Sequence, residues 1–172
     1  MHKLATVCGV GKRRWVVAAL ASTTVFAVST NAAIAAEHDV VIPAGTACDF
    51  DLAIDIAGGD QRVERTFVDA NGNPVRTLSA GVGSQLTFTN LSTNATIALP
   101  ANGAVTNTLF NADGSQTVTL TGHNVLILFP TDVPAGPSTT LYVGRVVFTV
   151  GVDGVFTLKS TSGTSTDICA AL

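Results

Sequence analysis

The sequence predicts an all-β protein, an antiparallel meander of about eight to ten strands with a closed barrel favoured over a sandwich. Three observations carry that reading. Thr and Val dominate the chain after residue 36, and no stretch there shows the 3.6-residue period of a helix. Dipeptides that supply positive φ to tight turns recur at short intervals: Asn71-Gly72, Asn102-Gly103, Asp113-Gly114 and Asp153-Gly154. Two cysteines, Cys48 and Cys169, stand close to the two ends of this region.

Taken in order, the first element reads as a cleaved export signal, residues 1–36. Lys12-Arg13-Arg14 precedes an apolar run from Val16 to Val28, and small residues follow, ending in Ala36. The run is too short for a membrane span, which needs roughly 20 residues. Ala33-Ile34-Ala35 fits small-x-small cleavage, and a cut after Ala36 fits nearly as well. Arg13-Arg14 matches a twin-arginine signal poorly, and Cys8 lies ahead of the apolar run rather than at the cleavage point, unlike a lipid anchor. Residues 37–172 are then one domain, of a size to bury a single core.

Strands are expected over 48–57, 61–69, 74–79, 84–90, 95–99, 104–110, 115–121, 124–129, 139–150 and 154–161. Gly58-Gly59-Asp60 and Gly122-His123-Asn124 read as further turns. Phe50, Leu52, Ile54 and Ile56 alternate against Asp49, Asp51 and Asp55 on the other face. Two segments break the alternation: "VLILF" (125–129) and "LYVGRVVFTV" (141–150) are apolar on both faces and must be covered on both. A second sheet, another subunit, or the proline-rich connection "PTDVPAGPSTT" between them could supply the cover.

An even cysteine count in an exported chain reads as a disulfide, Cys48 to Cys169, with two free buried thiols as the alternative. Cα atoms about 5.5 Å apart would make the first strand and the tail neighbours, as barrel closure requires. A sandwich could also join the ends.

Charge and composition exclude more than they assign. Beyond residue 36, five basic residues (Arg62, Arg65, Arg76, Arg145, Lys159) face twelve acidic ones, a net charge near −7. Such a body cannot neutralise a row of phosphates, so neither nucleic acid nor an anionic membrane surface is an expected partner. No metal site is expected, because His38 and His123 have no ligand spacing with the cysteines. The Asp49/Asp51/Asp55 stripe reads as a solvated strand face rather than a calcium loop. No cofactor motif occurs: "GVGS" (81–84) precedes no helix, and no Gly-x-Ser-x-Gly elbow is present. Asn90-Leu91-Ser92 and Asn94-Ala95-Thr96 match the glycosylation pattern and mark an exposed turn.

The candidate ligand-binding residues are few. Arg145 interrupts the two-faced apolar strand, and Arg65 shares parity with Val63 and Phe67. An inward guanidinium would need a carboxylate or an anionic ligand. Outward placement at a strand end or on the outer face is the simpler alternative. His123 reads chiefly as a turn residue, and Asp132 and Tyr142 complete the set.

The segments "IPAGTACDFDLAI", "RTFVDANGN", "FPTDVPAGPSTTLYVGRVVFTV" and "TSTDICAAL" cover most of residues 42–172. In these the chain resembles a set of small exported β-proteins of actinobacteria that have a terminal cysteine pair and no assigned activity. The resemblance implies one exported domain and carries over no functional residue. The expected function is an exported, non-catalytic protein holding one small apolar or amphipathic ligand. The alternative is a surface protein that oligomerises through 125–129 or 141–150. A barrel-type enzyme is the third reading and needs His123, Asp132 and Tyr142 in one pocket.

Overall fold

Ten strands and one short helix make up the described residues, 37–58 and 61–172, of a computed structural model. They are β1 (Val40–Ile42), β2 (Leu52–Ala57), β3 (Gln61–Val68), β4 (Pro74–Val82), β5 (Gln85–Asn90), β6 (Thr96–Leu99), β7 (Gly103–Phe110), β8 (Gln116–Leu128), β9 (Ser138–Val150), β10 (Phe156–Asp167) and α1 (Ile168–Ala171). The expected export signal lies outside the described residues. So do residues 59 and 60 of the expected first turn.

The all-β antiparallel class holds, but the barrel does not. A four-stranded sheet runs β1-β2-β5-β6, a six-stranded sheet runs β10-β9-β8-β7-β4-β3, and both are open. The reason lies in how the connections run. Only residues 58–60, 83–84 and 100–102 separate β2 from β3, β4 from β5, and β6 from β7. In each pair the first strand belongs to one sheet and the second to the other. The strands on either side of the turns expected at 58–60 and Asn102-Gly103 therefore lie in different sheets and form no hairpin with each other. True hairpins form at Gly72, Gly114 and Gly154, all at positive φ.

The third misread turn, Gly122-His123-Asn124, lies inside β8, which fuses the strands expected at 115–121 and 124–129. Register explains why glycine is needed there. Arg62, Gly81, Ala104, Gly122, Gly144 and Gly163 sit opposite one another in a row across six strands. Gly81, Gly122, Gly144 and Gly163 all have positive φ, and a Cβ on each would lie 2.0–2.4 Å from a carbonyl oxygen of the next strand. The row is a crease, a bend of the kind that lets strands turn a corner.

The crease answers what covers "VLILF". Val125, Ile127 and Leu141 pack on Leu52, Ile54 and Phe88, so one face lies under the small sheet. Leu126, Leu128 and Tyr142 pack with Val118, Val146, Phe148 and Phe156, on the far side of the crease in the same sheet. The β8–β9 hairpin beyond the crease is thus a central layer between two others. The connection from residue 129 to 137 closes the fold-over. Asp132, 3% exposed, accepts from the Phe129 amide (2.7 Å) and the Phe156 amide (3.0 Å). Val133 forms a parallel bridge to Thr157.

The disulfide Cys48–Cys169 is present, with Cα atoms 5.5 Å apart. Its cysteines meet by layering rather than by barrel closure. Cys48 lies in the turn before β2, not in the strand expected from residue 48. Cys169 lies on α1, a single turn capped by the Asp167 carboxylate, which accepts from the Ala170 amide at 3.0 Å. Thr139, fully buried, donates to the Ala47 carbonyl at 3.1 Å and ties the same corner to β9.

Candidate functional site: a cleft where the sheets part

Below the crease β7 pairs with β8, but above it β6 follows β5 into the small sheet and leaves β8. A wedge opens at the fork, and a cleft of about 450 Å³ occupies it. Leu86, Leu99 and Pro100 contribute from the small sheet, Val125, Leu141 and Val143 from β8 and β9, and Ala104 from the crease. Polar groups come from Arg62, Ser84, Asn102, His123 and Asn124. Apolar walls with a few polar groups, in this volume range, are the usual composition of a small-molecule site.

Arg62 is the charged member. Its Nε donates to the Ser79 hydroxyl (3.1 Å) and its Nη2 to the Thr106 hydroxyl (3.0 Å), so hydroxyls of β4 and β7 hold the guanidinium across three strands. His123 is exposed on β8. Asn124, whose Nδ2 is buried without a hydrogen-bond partner, pairs with Tyr142 across β8 and β9 and shares its face of the sheet.

Of the five residues singled out from sequence, His123 alone lines this cleft. Arg65 is exposed, with its guanidinium carbon 5.0 Å from the centre of the Phe67 ring, and Arg76 stacks on the same ring at 5.5 Å. Arg145 is exposed on β9, opposite Thr121 and Ser162. Both arginines point outward. Tyr142 packs with the cluster under the fold-over, on the face of β9 opposite Val143. Asp132 is spent on backbone amides. His123, Asp132 and Tyr142 therefore do not converge, which removes the enzyme reading that needed them together.

Arg62 was missed because its parity sets it opposite Arg65 and no local pattern marks it as part of the cleft lining at the fork. The acidic stripe is also less free than expected: Asp55 lies 3.0 Å from His38 Nδ1, and Asp51 accepts from the Ala44 amide at 2.8 Å. Asn90 is 5% exposed, and its amide reaches the Leu172 carbonyl at 3.5 Å, so that acceptor is not on the open turn. Among the described residues no group of three or more His, Cys, Asp and Glu could hold a metal, and no helix is long and apolar enough to cross a membrane. In comparisons with known families, curated proteins and solved structures, the chain matches none.

Proposed function

We propose that this is an exported, non-catalytic binding protein that takes one small amphipathic molecule in the cleft at the fork of its sheets. The observation that carries the reading is the cleft itself: apolar walls from both sheets, with Arg62 and His123 among its polar groups. The apolar part of the ligand packs against Leu86, Leu99, Leu141 and Val143, and a polar end faces Arg62. An anionic end makes charge-assisted hydrogen bonds with a guanidinium already oriented by Ser79 and Thr106. Export is supported by the disulfide and by the signal-like residues 1–36. The resemblance to small exported actinobacterial proteins points the same way.

The test is thermal unfolding of the purified full-length chain with decanoate, decanol and decylamine. Decanoate raises the Tm most, and Val143→Trp, which fills the cleft, abolishes the rise while leaving the unliganded Tm within a few degrees. Equal shifts from all three in the variant would contradict the site. Amino-terminal sequencing of protein recovered from the medium of its host checks export, with a start at Ala36 or Glu37 expected.

A further inference from the structure

We propose that the free edge of β10 is a dimerisation surface, on which Lys159–Asp167 pairs antiparallel with the same stretch of a second copy about Gly163. β10 is an outer strand of the six-stranded sheet. Its start is capped, since Val133 donates to the Phe156 carbonyl at 2.8 Å and accepts from the Leu158 amide at 2.7 Å. From Lys159 to Asp167 every residue is exposed, and among the described residues nothing pairs with that edge. The remaining edges are defended or short. β3 carries Arg62, Glu64 and Arg65, while β1 and β6 have three and four residues. Between Lys159 and Asp167 there is neither charge nor proline to discourage pairing, and the one register shift, between Leu158 and Ser160, lies at the end of the stretch.

The sequence of this edge selects its own copy as the partner. "KSTSGTSTD" is a chemical palindrome about its glycine. Antiparallel self-pairing about Gly163 brings Lys159, at the bulge that ends the regular stretch, to the Asp167 of the second copy, and repeats that ion pair at the other end. Ser160 then faces Thr166, Thr161 faces Ser165 and Ser162 faces Thr164, all hydroxyl pairs that stabilise a cross-strand contact. A polar, glycine-containing strand specifies register weakly by itself. Here the two terminal ion pairs supply it, because any slip sets Lys159 against a hydroxyl or beyond the strand.

The crease permits this join. Gly163 ends the row of bent positions. A two-fold axis that bisects the bend at Gly163 exchanges the half of β10 above the crease with the half below it. The two bent strands then follow each other, and the crease continues from one copy into the next. Such an interface is isologous and self-limiting, a closed pair rather than a filament.

Light scattering of the full-length protein across a concentration series reads the prediction as a rise from monomer to dimer mass. Thr161→Lys with Ser165→Lys opposes lysine with lysine at both ends and weakens the dimer at least about tenfold. Both positions are exposed, so the melting temperature stays as in the parent. Register is read separately, in a Cys8→Ser background that leaves no other free thiol, by mixing Thr161→Cys protein with Ser165→Cys protein under mild oxidation. A crosslinked heterodimer forms in the mixture and neither variant crosslinks alone. A monomer at all concentrations, a dimer unaffected by the paired lysines, or crosslinking of Thr161→Cys by itself would overturn the proposal.

Discussion

At the scale of single residues, the chain repeatedly uses aspartates to terminate backbone rather than to do chemistry. Asp132 is the clearest case, a buried carboxylate between two amides that the sequence places 27 residues apart. Asp132→Ala leaves both amides without that acceptor and should lower the unfolding free energy by about 2–4 kcal/mol, measured by urea denaturation. Asp69 and Asp113 do the same in open hairpin turns. The Asn73 amide, followed by the Asn73 side chain, holds the Asp69 carboxyl below its ordinary value of 3.8, and the Ser115 hydroxyl and amide do so for Asp113. A lowered value means the turn's contribution is complete above pH 3.8 and is lost as pH falls through the lowered midpoint. Carboxyl titrations by NMR should place both midpoints below 3.8; a midpoint at or above it would contradict the turn geometry. These turns were legible because Asp and Asn beside Gly carry a local mechanism. Asp132 was not, since its second partner, Phe156, depends on the fold-over.

Among the elements, glycine has two meanings that look alike in the sequence. At Gly72, Gly114 and Gly154 it turns a hairpin, and one strand of each was legible nearly to the residue: Gln61–Val68, Gly103–Phe110 and Ser138–Val150 lie within a residue of expectation. At Gly81, Gly122, Gly144 and Gly163 it creases a sheet, a role visible only once six strands are in register. Alanine scanning separates the two. At Gly72 a Cβ meets nothing within 4 Å, so Gly72→Ala costs about 1–2 kcal/mol for the left-handed backbone alone. At Gly122 a Cβ would lie 2.4 Å from the Gly103 carbonyl oxygen, so Gly122→Ala must move a strand and costs more, or prevents folding. Equal melting temperatures for the two variants would contradict the crease. "VLILF" was legible as a strand covered on both faces. That its own sheet supplies one of the covers was not.

For the whole molecule, the disulfide joins residues 121 apart in sequence and clamps α1 to the turn before β2. On the chain-entropy argument it should stabilise the fold by roughly 4–5 kcal/mol. Reduction should lower the melting temperature markedly, as calorimetry with and without reductant would show. The even cysteine count made this bond legible, but not the layering that brings the cysteines together. The cleft was least legible of all, because it exists only where β6 leaves β8, and no local pattern marks a fork between strands distant in sequence. The direct test of that cleft as the binding site is an amide chemical-shift map of the full-length protein titrated with decanoate. Shifts should concentrate in residues 83–86, 99–104, 123–125 and 141–143, leaving Arg65, Thr117 and Thr149 unmoved. Shifts spread over the outer face, or none at millimolar ligand, would contradict it.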